Sequence, residues 1–201
     1  MSIEDKIEFH PWKYYLPPNA EVLIIGTFPT AFHNRSFDFF YPNKTNIFWK
    51  IIYAIAQKEL STVDDKILAV KSRKEVLDVL KVAITDMGYC IKRNDNSSQD
   101  EKLELVEATK IIDILKKTPT IKTIILTSSS GPVSAARWFK EYLVDNKIFF
   151  KIPKGKKPQY TAISINGTEI KVAILYSPSQ RAVNRISFEK MIAMYKEAIS
   201  Q

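Results

Sequence analysis

The sequence opens a buried strand with Glu21-Val22-Leu23-Ile24-Ile25 and ends it with the turn Gly26-Thr27-Phe28-Pro29. A short apolar run bounded by Gly and Pro is typical of a core strand in a parallel sheet. Two more segments accompany it: residues 41–49, Tyr-Pro-Asn-Lys-Thr-Asn-Ile-Phe-Trp, and residues 176–179, Tyr-Ser-Pro-Ser. Open α/β folds bind ligands at the carboxyl edge of their strands. We therefore expect all three segments at one such edge.

Composition indicates a globular protein with a basic surface. The chain has 201 residues, of which 45% are apolar and 11% aromatic, and these values predict a single domain, residues 1–201, with a sizeable core. Thirty Lys and Arg against 22 Asp and Glu give a net charge of +8. This excess of positive charge favours a polyanionic partner.

The cysteine content and the hydropathy of the chain indicate in which cellular compartment the protein is expected. Cys90 is the only cysteine, which excludes an internal disulfide framework and any metal or cluster site built from several thiolates. The N-terminal residues lack an apolar signal core, and no apolar run is long enough to span a membrane. We therefore predict a cytoplasmic protein without membrane association.

Strand-like apolar runs alternate with helical patterns, which is the arrangement that builds parallel sheets. Core strands are predicted at residues 21–25, 82–85, 122–126 and 171–175. Helical spacing predicts helices around residues 47–55, 72–80, 106–115, 135–143 and 188–195, the second opened by a Ser72/Glu75 capping box. Four lysines at 151, 154, 156 and 157 predict a basic loop, and Asn166-Gly167 then predicts a β-hairpin.

Polar or turn-forming residues follow every predicted core strand. The first strand ends in Gly26 and Thr27, the second in Thr85 and Asp86, the third in residues 127–131 and the fourth in residues 176–179. In a parallel sheet these four ends converge on one crevice, where a functional site is expected. Ordinary loop chemistry also explains polar strand ends, so composition alone leaves both interpretations open.

The order and spacing of these motifs resemble the uracil-DNA glycosylase superfamily, most closely its branch of hypoxanthine- and mismatch-type DNA glycosylases. The resemblance covers nearly the whole chain. It rests on the Gly26–Pro29 turn, on Asn46-Ile47-Phe48-Trp49 at a helix start, on Thr85-Asp86 and on Ser177-Pro178-Ser179. Cys90, Arg93 and residues 96–100, Asn-Ser-Ser-Gln-Asp, are similar to the central loop of the family.

The resemblance implies both a fold and a reaction. The fold is α/β, a three-layer α/β/α sandwich on a short four-stranded parallel sheet, to which this chain adds a small β-hairpin. The implied enzyme is a monofunctional DNA glycosylase of base-excision repair that needs no metal or cofactor, and we expect a monomer whose partner is DNA with a damaged or mismatched base. It flips uracil, hypoxanthine or xanthine out of DNA and hydrolyses the N-glycosidic bond. Its pocket must hold a water molecule and stabilise an anionic leaving base.

The resemblance also makes Asn46 the first candidate for the catalytic side chain, which positions water or contacts the base. An amide suits this role because it both donates and accepts hydrogen bonds. Asn46 is equally suited to be a helix N-cap, and so is Thr45. Asn43 is a second catalytic candidate, and Asp38 is a third, as a general base if its carboxylate faces the pocket.

By the same resemblance, the base pocket combines strand ends with aromatic side chains that stack on a flipped base. We assign to it Gly26, Thr27, Phe28, Pro29, Tyr41, Phe48, Asp86, Thr127 and Ser128. Trp49 is assigned to the core. Asp86 is interpreted either as a residue that holds the pocket loops through backbone hydrogen bonds or as the Asx turn that ends its strand.

The Ser177-Pro178-Ser179 segment is expected to pinch the DNA backbone, with Gln180 and Arg181 as the wedge and the phosphate contact. A rigid proline turn followed by a solvated arginine is the alternative interpretation. The basic loop, with Lys154 and Lys156, is expected either to extend the phosphate-contacting face or to be solvated surface.

Two departures from the family leave the activity open. Tyr176 stands where many relatives carry His, and Thr127-Ser128-Ser129 stands where many present Asn to the base edge. The alternative is therefore a catalytically silent nucleic-acid-binding relative with the same fold. A hydrolase or nucleotide-binding enzyme that uses Ser128 or Ser177 is disfavoured, because the sequence has no Gly-x-Ser-x-Gly elbow, no phosphate-binding glycine loop and no suitable His partner.

Overall fold

The computed structural model describes residues 6–60, 65–94 and 99–200, and within these ranges the side chains of Arg181 and Val183 are excluded from the description. In chain order the elements are β1 (Lys6–Phe9), β2 (Val22–Gly26), α1 (Phe48–Ile55), α2 (Lys66–Leu80), β3 (Val82–Asp86), β4 (Gly88–Arg93), β5 (Leu103–Ala108), α3 (Ile111–Lys117), β6 (Thr123–Leu126), α4 (Ala135–Asp145), β7 (Gln159–Ile165), β8 (Thr168–Ile174), α5 (Gln180–Val183) and α6 (Phe188–Ser200). Short 3-10 turns cover Phe32–Asn34 and Asp100–Lys102.

The central sheet has the strand order β3-β2-β6-β8-β7. Its first four strands are parallel, and β7 joins β8 as an antiparallel edge strand. The hairpin between β7 and β8 turns at Asn166 and Gly167, both with positive φ, as expected of a tight two-residue turn. The predicted four-stranded parallel sheet with an added hairpin is therefore confirmed.

Helices cover both faces of this sheet, which confirms the predicted three-layer sandwich. Leu23 and Ile25 of β2 pack with α3 and α4, whereas Val22 and Ile24 pack with α1, α2 and α6. The alternation follows from the pleat, because successive side chains of a strand point to opposite faces. Trp49 is 4% exposed and its indole N–H donates to the Phe40 carbonyl, so its assignment to the core is also confirmed.

A second sheet, with the strand order β1-β4-β5, is antiparallel throughout and was not predicted. It corrects the helix expected around residues 106–115, since Val106 lies in β5 and the helix begins only at Ile111. The apolar residues at 106, 111, 112, 114 and 115 have helical spacing, but residues 103–108 form β5, which pairs with β4. Long-range pairing here overrides the local pattern.

The start of α2 also differs from the prediction. The helix begins at Lys66, and its N-cap is Asp65, whose Oδ1 accepts the backbone N–H groups of Ile67 and Leu68. Ser72 lies inside this helix, where its hydroxyl is hydrogen-bonded to that of Tyr53. The capping box assigned to Ser72 and Glu75 is therefore wrong, because the helix begins at Lys66, six residues before Ser72. Its first turn carries Ile67 and Leu68, which are apolar but exposed and so do not mark a buried helical face. Within the described ranges, no helix is both long and apolar enough to cross a membrane.

Candidate active site at the carboxyl edge of the sheet

A cleft of about 550 Å³ opens at the carboxyl ends of the parallel strands. The structure brings together there most of the residues that the sequence singles out: Thr27, Phe28, Pro29, Tyr41, Asn43, Asn46, Asp86, Thr127, Ser128, Ser177, Ser179 and Gln180. The loops after β2, β3, β6 and β8 all contribute, because parallel strands end at one edge of the sheet.

Asp86, which lines the cleft, forms a buried pair with His10. The Nε2 atom of His10 lies 3.0 Å from Oδ2 of Asp86, and both side chains are less than a tenth exposed. The other carboxylate oxygen, Oδ1, lies so close to Gly26 that an added Cβ would be only 2.1 Å from it. Glycine at position 26 is therefore required by the carboxylate of the neighbouring strand. His10 was missed by the sequence reasoning.

Substituting Gly26 with alanine is expected to destabilise the fold by about 1–3 kcal/mol, because a methyl group there overlaps Asp86 Oδ1 and approaches the Tyr41 hydroxyl. Urea unfolding of Gly26→Ala measures this loss of free energy. Ser164→Ala, at an exposed position of β7, is the control and should stay within about 0.5 kcal/mol of the wild type. A Gly26→Ala variant as stable as that control would contradict the close approach.

The turn after β2 is supported from the second sheet by Arg93, which is 2% exposed. Its Nη2 donates to the carbonyl of Pro29 at 2.8 Å, its Nε donates to Glu8 at 3.0 Å, and its guanidinium carbon lies 5.7 Å from the centre of the Phe28 ring. A guanidinium combines planar donors with a face that packs on aromatic rings. The resemblance assigned Arg93 to a loop, whereas the structure makes it a strand residue that holds the Gly26–Pro29 turn in place.

Tyr41 forms an aromatic wall of the cleft. Its ring stacks on that of Phe48 with centroids 4.0 Å apart, and its hydroxyl lies 2.9 Å from Oγ1 of Thr127. Burial raises the pKa of Tyr41, and the nearby Asp86 adds to the increase, so the phenol stays protonated. Phe48 is fully buried behind Tyr41 and does not line the cleft. Of the two rings, Tyr41 is therefore the one that reaches the cavity.

The loop that precedes α1 carries the two candidate asparagines. Oδ1 of Asn46 accepts the backbone N–H of Phe48 at 2.8 Å, an Asx turn, while the side chain lines the cleft. The N-cap of α1 is Ile47, so neither Asn46 nor Thr45 is the N-cap that the sequence suggested. Oδ1 of Asn43 accepts the N–H and the hydroxyl of Thr45, both at 2.9 Å. The N–H of Ile47 donates to the carbonyl of Pro178 at 3.0 Å. This last bond ties the asparagine loop to the Ser177–Ser179 segment.

Asp100 lines the cleft and was not predicted as a site residue from the sequence. The 3-10 turn Asp100–Lys102 places its side chain in the cleft, where it is hydrogen-bonded to Thr27. Burial raises the pKa of Asp100 to about 6; the bond to Thr27 works against this shift, and the charge of Asp86 adds to it. A carboxyl group with a pKa of this kind changes its charge close to neutral pH.

The hydroxyl groups of Thr127 and Ser128, which follow β6, are hydrogen-bonded to other groups of the protein. Oγ of Ser128 accepts the N–H of Ala135 at the start of α4 at 2.9 Å and lies 3.2 Å from Oγ1 of Thr27. Oγ1 of Thr127 donates to the carbonyl of Ile25. Both side chains line the cleft with fixed positions, and Ser128 carries no His partner within the described residues.

The opposite wall of the cleft is cationic. Lys157 and Arg185 line it together with Tyr176, and Nζ of Lys157 lies 5.2 Å from the centre of the Tyr176 ring. Burial and, as a smaller contribution, the positive charge of Arg185 together lower the pKa of Lys157 to about 8. The lysine count of the loop indicated a basic surface, but not which lysine enters the cleft.

Several predicted site residues lie elsewhere. Asp38 is exposed and outside the cleft lining, as are Lys154 and Lys156, and Pro178 is buried beneath the lining. Arg181 belongs to α5, but its side chain is excluded from the description, and residues 96–98 lie outside the described ranges. Within the described ranges, the hydrogen-bond partner of the Asp86 side chain is the ring of His10, and neither the loop backbone nor an Asx turn is its partner there.

Comparisons with known proteins agree with this description of the fold. No family model matches the chain, and no curated protein matches it. Among solved structures, the chain is similar to the solution NMR structure of a "putative uracil DNA glycosylase" from Methanosarcina acetivorans, with a TM-score of 0.63 and 16% sequence identity. The similarity covers 98% of this chain and 100% of that one. The likeness therefore extends over the whole fold.

Proposed function

We propose that the protein is a DNA glycosylase that removes a deaminated base, namely uracil, hypoxanthine or xanthine, from DNA during base-excision repair. The fold supports this proposal at the level of the superfamily. The motifs that resemble the hypoxanthine- and mismatch-type branch support the finer assignment, since most of them meet in one cleft. A partner that is a polyanion agrees with the net charge of +8.

The observation that carries the proposal is the separation of charge across the cleft. Asp86 and Asp100 lie on the side of β2 and β3, whereas Lys157 and Arg185 lie on the side of β8 and α5. When an N-glycosidic bond breaks ahead of water attack, the sugar becomes cationic and the base leaves as an anion. Fixed carboxylates beside the sugar and fixed cations beside the phosphates or the base stabilise both charges as they develop.

Asn46 and Asp100 are the residues that we assign to the attacking water. The Asn46 Oδ1 atom is engaged by the Phe48 N–H, which fixes the orientation of the amide and leaves its NH2 group as a donor. With a pKa of about 6, Asp100 is mostly a carboxylate at neutral pH and is matched to accept a proton near the operating pH. Asn43 and Asp38 remain the alternative candidates for the catalytic side chain.

The pocket for the flipped base is assigned to Phe28, Tyr41, Thr127 and Ser128. The two rings offer apolar faces for stacking, and the two hydroxyls offer hydrogen bonds to the base edge. The Thr127 hydroxyl already donates to Ile25, so it can only accept from the base, whereas the Ser128 hydroxyl, which accepts the Ala135 N–H, can donate to it. The two together suit the N–H and C=O of the lactam edge that uracil, hypoxanthine and xanthine share. We therefore propose that the pocket recognises the oxo-substituted edge that the three bases have in common, and not one particular base.

The test is alkali-revealed strand cleavage of labelled duplexes that carry uracil, hypoxanthine or xanthine, with DNA binding measured on the same duplexes. Alkali breaks the chain wherever a base has been removed, so cleavage of at least one duplex is the expected result. An undamaged duplex of the same sequence is the control. Retained binding without cleavage of any duplex would favour the alternative, a catalytically silent nucleic-acid-binding relative.

The exposed lysines of the basic loop are proposed to contact phosphates outside the cleft. Replacing Lys154 and Lys156 by Gln is expected to weaken DNA binding and to reduce the slope of log affinity against log salt by about 2, because each lysine releases about one counterion. The matched control is Lys140→Gln/Lys196→Gln, two exposed lysines on α4 and α6. If the loop variant kept the wild-type salt slope, the basic loop would be ordinary solvated surface.

A further inference from the structure

Lys157 combines features that a phosphate-binding lysine does not need. It lines the cleft, half-buried, beside the Ser177–Ser179 segment, and its ammonium group lies over the ring of Tyr176. The charged neighbour identified for it is Arg185, another cation, and no carboxylate of the described residues forms a salt bridge with it. Desolvation and a neighbouring cation are the two conditions that turn a lysine into an amine nucleophile.

We propose that Lys157 is the nucleophile of a second activity, the cleavage of the DNA chain at an abasic site through a Schiff base. The inference rests on the proposed function, because it requires that the cleft bind DNA with the sugar of the removed base inside it. It goes beyond that function, because the resemblance implies an enzyme that stops at the abasic site.

The chemistry requires no oxidant, reductant or metal. The neutral amine of Lys157 adds to the C1′ aldehyde of the ring-opened abasic sugar, and loss of water from the adduct forms a protonated imine. A proton then leaves C2′ for a carboxylate of the cleft, for which Asp100 is available on the opposite wall. The C–H electron pair forms a new double bond and expels the 3′ phosphate as the C3′–O bond breaks. Water finally hydrolyses the imine, which releases an unsaturated aldehyde and regenerates the lysine.

The protonation state of Lys157 supports this role. A lysine whose pKa is lowered to about 8 is neutral in about a quarter of the molecules at pH 7.5, whereas an unperturbed lysine is neutral in about one in a thousand. Only the neutral amine attacks a carbonyl carbon. A lysine that served phosphate binding alone would gain nothing from a lowered pKa, since its charge provides the binding energy.

The experiment is borohydride trapping on a labelled duplex that already contains an abasic site, so that it does not depend on base removal by this protein. Borohydride reduces the imine to a stable amine, and wild-type protein is expected to form a covalent protein–DNA adduct. Lys157→Arg retains the positive charge but cannot form an imine, so it should lose the adduct while still binding the duplex. Lys140→Arg, an exposed lysine on α4, is the matched control and should be trapped as the wild type is.

The possible outcomes separate this inference from the proposed function. If the wild-type protein removes bases but forms no covalent adduct, the inference is overturned and the proposed glycosylase function stands. Persistence of the adduct in Lys157→Arg would overturn the assignment to Lys157. Trapping that depends on Lys157 in a protein that removes none of the three bases would support the inference and contradict the glycosylase.

Discussion

Replacing Asn46 by alanine is expected to slow base removal by about 10²–10³-fold, the usual cost of losing one pre-positioned hydrogen-bonding group from an active site. The amide is held by its bond to the Phe48 N–H, so its free donor is fixed in the cleft without further reorganisation. The measurement is the single-turnover rate on whichever lesion duplex the wild type processes, at saturating protein so that DNA affinity does not contribute.

The control for Asn46→Ala must separate catalysis from the Asx turn that Asn46 makes before α1. Loss of its bond to the Phe48 N–H costs about 1 kcal/mol of stability, and serine retains such a bond because its hydroxyl makes the same kind of turn. Asn46→Ser is therefore expected to unfold like the wild type and yet to be as slow as Asn46→Ala. If both Asn46 variants keep the wild-type rate and Asn43→Ala or Asp38→Asn loses most of it, the catalytic side chain is Asn43 or Asp38 and not Asn46.

Replacing Asp100 by asparagine is expected to reduce the rate by about 10²–10⁴-fold, the range that general base catalysis supplies. The wild-type rate should also depend on pH in a definite direction. The active form is the carboxylate, so the rate rises with pH through a midpoint of about 6 and is lost as Asp100 is protonated below it. At pH 5 only about one tenth of the molecules carry the carboxylate.

The pH profile distinguishes a base from a structural carboxylate. In Asp100→Asn the residual rate should lack the step near pH 6, because asparagine does not titrate. The variant should also gain stability relative to the wild type as pH rises from 4 to 7, since the fold no longer holds a carboxyl group whose pKa it raises. A wild-type profile without a step near pH 6, or a step that survives in Asp100→Asn, would contradict the assignment.

The central sheet was predictable because its strands are buried on both faces. Strands such as β2 and β3 are continuous apolar runs that end in glycine or in polar residues, and their predicted bounds agree with the structure to within a residue or two at most. The position of the cleft followed from the same information, since parallel topology gathers the carboxyl ends of all four strands. The start of α1 was similarly marked by Asn46 and the apolar residues after it.

The second sheet was not predictable, because β1 and β5 are largely exposed and carry only weak alternation. Their stability comes from pairing with β4, which is a long-range contact without a local signature. The same limit applies to the site. His10 meets Asp86 across 76 positions of sequence, and neither residue has a motif that indicates the other.

Asp100 and Lys157 illustrate a further limit. Both were visible in the sequence, one in the segment similar to the central loop of the family and one in the basic loop, but nothing local distinguished them from neighbouring charges. Burial makes the difference, because it raises the pKa of the carboxyl group and lowers that of the amine, and burial is a property of the folded chain. The sequence thus indicated the segment in which each residue lies, and the structure shows which side chain of that segment enters the cleft.

The most direct test of the central claim is chromatographic detection of the free base released from duplex DNA that carries uracil, hypoxanthine or xanthine. The measurement observes N-glycosidic bond cleavage itself, independently of what happens to the DNA chain afterwards. We expect wild-type protein to release at least one of these bases in stoichiometric amount, and Asn46→Ser to release it far more slowly. Release of no base from any of the three duplexes, by protein that binds them, would contradict the proposed function.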